Sequence, residues 1–399
     1  MPKQKIPAAK YRIHSIDILR GIIMVVMALD HARDFFHANA AIQEPTDFST
    51  TYPLLFFTRI ITHYCAPTFV FLSGISAFIA GQKKTPKQRS LFLIKRGLWL
   101  VVVELVAVNL ITSFDPLYHL IVLQVIWVIG ISMIILGLLV RTSVKTIVII
   151  GSLLLFGHNL FDLVKLPATG ASGILLNFLF TANGFGNLLP LGNGYTLMLA
   201  YAILPWTAIM LLGYGLGTQF TAKTDPPKRV RILTGTGLSV IALFIVLRLV
   251  NIYGDPVPWS HQKNAVFTFL SFLNVSKYPP SLLYACMTLG PSILLLGLLE
   301  KTKNTFSDMV SIYGRVPFFY YVCHFFLTHV ICVILFFATG HGSNEIVTDT
   351  GYYFRPVHFG FHLWVVYLLW LTVVVLLYLP CKWFDQYKKT HTQWWLSYL

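Results

Sequence analysis

Charged side chains are scarce in this chain. Asp, Glu, Lys and Arg together make up 11% of its 399 residues, against about a quarter in an ordinary soluble domain. That excludes a second domain of soluble composition. Acidic residues are rarer still, 15 against 30 lysines and arginines. The basic surplus never collects into a run that could serve as a nucleic-acid arm, so nucleic acid is not an expected partner. Cysteine is sparse too. Cys65, Cys286, Cys323, Cys332 and Cys381 lie in or at the ends of apolar runs, with no CxxC or Cys/His metal spacing. They read as buried small hydrophobes, with neither a disulfide framework nor a metal site expected. No small-residue cleavage site follows the first apolar run, which therefore reads as a retained span.

What is abundant is hydrocarbon: 56% of the residues are hydrophobic. A helix needs roughly 20 apolar residues to cross a bilayer. Ten windows qualify: 16–36, 54–81, 91–112, 117–140, 145–164, 195–217, 231–251, 280–299, 315–338 and 360–381. Amphipathic stretches around 172–182 and 264–275 fit re-entrant or interfacial helices. Twenty-two of the thirty basic residues fall on the two tails and on alternate connections. The other connections hold only Arg33, Lys165, Lys263, Lys277 and Arg355, while Arg20, Arg59 and Arg248 lie within spans. The bias predicts an all-α integral membrane protein of about ten transmembrane helices with both termini cytoplasmic. Residues 1–399 read as one transmembrane domain with short basic tails at 1–15 and 382–399.

Histidine is distributed as unevenly as lysine. Eleven of the thirteen, including His31, His63, His119, His158, His324 and His329, fall in the outer halves of spans or in the basic-poor connections. Histidine is the side chain best matched to moving protons near neutral pH. The first span reads SIDILRGIIMVVMALDHARDFFH. Asp17 and Arg20 sit three apart and are neighbours on a helix. Arg20 and His31 sit eleven apart, which places them on one face, about 16 Å apart along the axis, with Met24 and Met27 between. Asp30 precedes His31 and is an imperfect intrahelical partner for its ring; a carboxylate from another helix, such as Asp115, is the alternative. In the second span Arg59 and His63 share a face, and Pro67 is expected to loosen the helix just beyond them. Charged residues inside a membrane are costly and usually functional, although ion pairing and packing alone could account for any single one of these residues.

The strings SIDILRGIIMVVMALDH, FFTRIITHYCAPTFVFLSG, FDPLYHLIVLQVIWVIGISMI, KYPPSLLYACMTLGPSILLLGLLE and YGRVPFFYYVCHFFLTH together resemble bacterial members of the heparan-alpha-glucosaminide N-acetyltransferase catalytic-domain family. The resemblance runs in order over nearly the whole chain. It implies a transmembrane acyltransferase of the bacterial inner membrane that takes acetyl from cytosolic acetyl-CoA. The acceptor is an amine or hydroxyl of an extracytoplasmic sugar or glycan. The first-span pattern is aspartate, then Arg-Gly, then a polar residue ten places on. It is also similar to that of membrane O-acyltransferases in which the histidine ending the pattern carries the chemistry. That role maps onto His31.

The expected site follows. His31, His63, Asp30 and His324 are the catalytic candidates, with a histidine as general base. His324 or Arg59 is a candidate to stabilise the oxyanion. Asp17, Arg20, Arg59, Lys95, Arg96 and Arg315 are candidates for holding acyl-CoA. Asp115, His119, His158 and His329 are candidates for holding the acceptor. A homodimer is one open assembly state. Two other classes stay open on sequence alone: a proton-coupled secondary transporter or flippase of a glycan-related substrate, and a non-catalytic envelope scaffold.

Overall fold

The computed structural model describes residues 13–164, 170–182, 188–222, 224–348 and 351–397. Lys3, Lys5, Lys10, Arg12, Lys165 and Lys223, which enter the charge bias, lie outside the described residues. The first helix, α1 (His14–Phe36), is followed by α2 (Pro53–His63) and α3 (Cys65–Gly81). Next come α4 (Pro86–Val103) and α5 (Asn109–Ser113), joined by a π-helical turn at Glu104–Val108. After strand β1 (Leu120–Leu123) the chain forms α6 (Val125–Leu139), α7 (Val144–Gly157) and α8 (Gly170–Leu176). Strands β2 (Leu188–Gly192) and β3 (Tyr195–Leu199) lead into α9 (Ile203–Leu216) and α10 (Pro226–Val250). The remaining helices are α11 (Ala265–Leu273), α12 (Leu282–Leu298), α13 (Thr305–Arg315), α14 (Pro317–Ala338) and α15 (Leu363–Thr390).

Among the described residues, six helical segments are long and apolar enough to cross a membrane: Pro53–Gly81, Val144–Leu163, Pro226–Val250, Leu282–Lys301, Pro317–Ala338 and Leu363–Thr390. Several other expected spans are helices that are either short, as α6 and α9 are, or charged, as α1 and α4 are. Charge in α1 is compatible with its place, because α1 is the hub of the fold. It packs against α3, α13, α14 and α15 and is buried over most of its length.

Local sequence explains the helix starts. Thr85 accepts from the Gln88 amide and Gln88 reciprocates, a capping box with Pro86 in the first turn. Asn304 and Ser307 do the same for α13, and Ser281 accepts from the Tyr284 amide to open α12. The first helix of the second expected span ends at His63, and Pro67 sits in the first turn of α3, where its missing N–H costs no intrahelical bond. The break therefore lies at Tyr64, ahead of the proline expected to cause it.

Three expectations are corrected by the backbone. Windows 117–140 and 195–217 do not begin as helix. The first passes from a turn into β1 and the second opens on β3; the two strands pair in parallel from Leu120↔Thr196 to Leu123↔Leu199, with β2 antiparallel on the other side of β3. An apolar run of four or five residues reads equally as strand or helix, and here the strands feed directly into α6 and α9, which pack together. The fold is mostly helical rather than all-α. Residues 382–399 do not begin as a tail: α15 runs on to Thr390, with Asp385 buried. Arg315 is not inside the ninth expected span but ends a separate amphipathic helix, α13.

Candidate active site

Eleven residues of helix carry α1 from Arg20 to His31, about 16 Å. Both line one cavity of about 300 Å³, enclosed mainly by α1, α3, α4, α6 and α14. Met27 lies between them on the cavity wall, whereas Met24, the other expected member of the stripe, is fully buried in packing. The middle of the cavity is apolar, with Phe69, Leu100, Ile129 and Met133 on its walls.

One end is basic. Arg20 is fixed from three sides: its Nη2 donates to Ser76 Oγ at 2.8 Å, and its Nη1 donates to the Gly314 carbonyl at 3.1 Å and faces Asp17 at 3.5 Å. Arg315 donates to Ser311 Oγ at 3.0 Å and pairs through Nε with Asp385 at 2.9 Å. Lys388 lines the cavity from the same turn of α15 that carries Asp385, and Arg96 lines it from α4. Lys95 points the other way and is exposed. Four cations at one end of the cavity suit a polyphosphate.

The other end is built around an imidazole pair. His31 Nδ1 lies 2.6 Å from His324 Nε2, and His324 Nδ1 lies 3.1 Å from the Tyr320 carbonyl oxygen. A carbonyl only accepts, so His324 Nδ1 carries its proton. Neutral His324 then offers a lone pair at Nε2, and His31 Nδ1–H donates into it. The hydrogen-bond network thereby assigns the His31 tautomer and leaves a lone pair on its Nε2. Phe325 stacks on the His31 ring at 4.0 Å between centroids, and Tyr321 meets it edge-on at 6.5 Å. His324 is fully buried behind His31 and does not line the cavity.

Asp30 is not the partner of the His31 ring. Both its oxygens accept from Arg59 Nη1, at 2.8 and 3.0 Å, and Oδ1 also accepts from Thr62 at 2.8 Å. Arg33 Nη2 lies 3.0 Å from Oδ1, and Lys277 Nζ lies 3.9 Å from Oδ2. One carboxylate thus meets three cations. Arg59 is committed here, away from the basic end where a donor phosphate was expected to meet it. Asp115 does not orient His31 either. It accepts from the Leu117 and His119 amides and pairs with His119 Nδ1 at 2.9 Å, holding the turn into β1.

The remaining expected histidines are dispersed. None of His63, His119, His158 and His329 lines the cavity. His63 is buried edge-on to Tyr284. His158 bonds to the carbonyls of Leu155 and Pro280, at 2.9 Å each, and ties the end of α7 to the segment before α12. His329 bonds to the Tyr353 carbonyl at 2.9 Å and stacks on Phe114 at 3.7 Å. The partners of His63, His158 and His329 are backbone carbonyls and aromatic rings, and that of His119 is the Asp115 carboxylate. Sequence reasoning missed Lys277, Tyr201 and Tyr321, which line the imidazole end, and Lys388 at the basic end. Tyr321 was legible in principle: it precedes His324 by three residues on α14 and so shares its face.

A family model described as heparan-alpha-glucosaminide N-acetyltransferase, catalytic, matches residues 12–247, more than half of the chain. No curated protein matches the chain. The match takes in Arg20, Asp30, His31 and Arg96, while Lys277, Arg315, Tyr321, His324 and Lys388 lie beyond it on the same cavity or directly behind it. The chain belongs to the heparan-alpha-glucosaminide N-acetyltransferase catalytic family.

Proposed function

We propose that this family member transfers an acyl group, acetyl by preference, from cytosolic acyl-CoA to an amine or hydroxyl of a sugar on the far side of the bacterial inner membrane. The observation that carries the reading is that Arg20 and His31 line one continuous cavity. In this reading the chain is one transmembrane domain with cytoplasmic termini, and the basic end faces the cytoplasm.

The phosphates of the donor lie against Arg20, Arg96, Arg315 and Lys388. The pantetheine arm follows Met27, Phe69 and Ile129, an apolar wall that excludes water from the thioester. The thioester carbon then lies beside His31. The acceptor oxygen or nitrogen attacks it while His31 Nε2 takes the acceptor's proton. The tetrahedral adduct collapses, the C–S bond breaks, and the thiolate takes the proton back from His31. His324 keeps the ring turned so that Nε2, not Nδ1, faces the reacting atoms. Asp17 and Asp385 hold the donor's arginines, and Asp30 holds the polar end together.

The test uses sealed membrane vesicles carrying the full chain, labelled acetyl-CoA on the cytoplasmic side and a glucosamine acceptor on the other. Labelled acceptor is expected from wild type and not from His31→Ala. Equal turnover by both would remove His31 from the chemistry. Transport of unmodified acceptor that collapses when the proton gradient is dissipated would support the transporter class instead.

A further inference from the structure

A base at His31 accounts for the proton. It does not account for the negative charge that develops on the thioester oxygen. The two groups expected to meet that charge are both occupied. His324 Nε2 is taken by His31, and Arg59 spans both oxygens of Asp30.

Two other side chains at the imidazole end answer the requirement. The first is Lys277. Asp30 is surrounded by Arg59, Arg33 and Lys277, one anion among three cations. Neither Arg59 nor Arg33 lines the cavity, and Arg33 also pairs through Nη2 with Asp34 at 2.5 Å. Lys277 is the loosest of the three, at 3.9 Å, and it is the one that lines the cavity. It is nine-tenths buried, on the connection between α11 and α12, with its Nζ 5.0 Å from the centre of the Tyr278 ring. A buried ammonium beside an already neutralised carboxylate is an electrostatic surplus directed at whatever enters the cavity. The second is Tyr321. Its ring lines the cavity edge-on to His31, it is 3% exposed, and its hydroxyl has no hydrogen-bond partner among the described residues. A buried hydroxyl without a partner is costly unless a ligand supplies one.

We propose that Lys277 and Tyr321 form the oxyanion pocket of the acyl transfer. This rests on the transferase reading above. The acceptor's lone pair forms the new bond to the thioester carbon, and the carbonyl π pair moves onto oxygen. Lys277 Nζ–H and the Tyr321 hydroxyl both donate to that oxygen as its charge grows. The pair returns to re-form the carbonyl as the C–S bond breaks, and the sulfur leaves as thiolate to be protonated by His31. Neither donor gives up its proton, so the step balances with the acyl donor and acceptor alone. The pocket also disfavours a positively charged acceptor group beside Lys277, so an amine reacts in its neutral form and a hydroxyl reacts freely.

The experiment compares wild type, Lys277→Met, Lys277→Arg and Tyr321→Phe in the same vesicles, with kcat and the KM for acetyl-CoA measured separately and folding followed by thermal melting. Loss of one oxyanion donor is expected to lower kcat by roughly 100- to 1,000-fold in Lys277→Met. Tyr321→Phe is expected to lose at least tenfold, with KM for acetyl-CoA within threefold in both. Lys277→Arg should recover part of the loss, since it keeps a donor and the charge. A folded Lys277→Met or Tyr321→Phe that keeps wild-type kcat overturns the pocket while leaving the transferase reading intact. If Lys277→Met does not fold, Tyr321→Phe decides alone, because it removes an oxygen that bonds to nothing. A wild type that binds acetyl-CoA but never transfers the acyl group overturns the transferase reading, and the pocket with it.

Discussion

His31 Nδ1 lies 2.6 Å from His324 Nε2, which joins α1 to α14 through two imidazoles that sit 293 residues apart in sequence. The contact fixes which nitrogen of His31 keeps a lone pair, as the proposed base requires. Without it the His31 ring could turn over and present either nitrogen. In the proposed mechanism His324 is a positioning residue, since it touches His31 and does not line the cavity.

The consequence can be measured. His324→Ala is expected to lower kcat by about 100-fold or more, since a misoriented base loses most of what general-base catalysis supplies. KM for acetyl-CoA should stay within threefold, because the basic end is untouched. His324→Gln, whose amide oxygen can accept from His31 Nδ1–H, should recover part of the loss. The double variant His31→Ala/His324→Ala should be no slower than His31→Ala alone, because groups acting as a unit are not additive. Additive losses would mean that His324 acts independently of His31.

Asp385 offers a test of the basic end. Its carboxylate is buried and receives Arg315 at 2.9 Å and Lys389 at 2.6 Å. Asp385→Ala removes the carboxylate that Arg315 meets at 2.9 Å. Acceptor turnover at saturating donor should hardly change. KM for acetyl-CoA should rise roughly tenfold, the equivalent of about 1.4 kcal/mol. A fall in kcat at unchanged KM would place Arg315 outside donor binding.

Much of this architecture was legible in sequence, and the parts that were not share a cause. Helical spacing alone put Arg20 and His31 on one face of α1, and both line the cavity. The family resemblance was legible too, and the matching family model agrees with it. Partners from distant segments were not legible. His324 was named as a candidate, but its contact with His31 was not; like Lys277 and Asp385 it reaches the site through tertiary packing, and nothing local marks which histidines, lysines and aspartates will meet. Asp30 and Asp115 drew attention because they lie near a histidine in sequence or depth. The structure gives them to arginines and to a turn instead, since a buried carboxylate goes where the donors are most numerous. The strands β1 and β3 were hidden because an apolar run of four or five residues has no period long enough to read.

Asp115 should report on pH. Burial works to raise its pKa. The amides of Leu117 and His119 and the His119 ring outweigh that, and the carboxyl is held below its usual range. A depressed folded-state pKa contributes stability that is present above the unfolded carboxylate value, about 3.9, and is lost as pH falls through the folded value. Asp115→Asn should therefore melt several degrees below wild type at pH 7. The gap should narrow steadily as the pH is taken below about 4. A gap that is the same at pH 7 and at the acid end would mean that the charge on Asp115 is irrelevant to the turn into β1.

The contact between α1 and α13 links stability to the basic end of the cavity, and two glycines set it. A Cβ on Gly314 would lie 1.9 Å from the Asp17 carbonyl oxygen, and one on Gly21 would lie 2.0 Å from the Val310 carbonyl oxygen. Both obstacles are backbone, so neither can yield by changing rotamer, and the helices must separate. Overpacking of this kind costs about 1–3 kcal/mol and sometimes more. Separation also withdraws the Gly314 carbonyl from Arg20, which it receives at 3.1 Å. Gly314→Ala should accordingly lower the melting temperature and raise the KM for acetyl-CoA together. Gly235→Ala on α10 is the control: nothing lies within 4 Å of its added methyl. Alanine in a helix interior is favoured over glycine by about 1 kcal/mol, so this variant should be as stable as wild type or more so, with unchanged kinetics. If Gly314→Ala loses stability but keeps its KM, the position of Arg20 does not depend on α13, and the Ser76 and Asp17 contacts suffice to hold it.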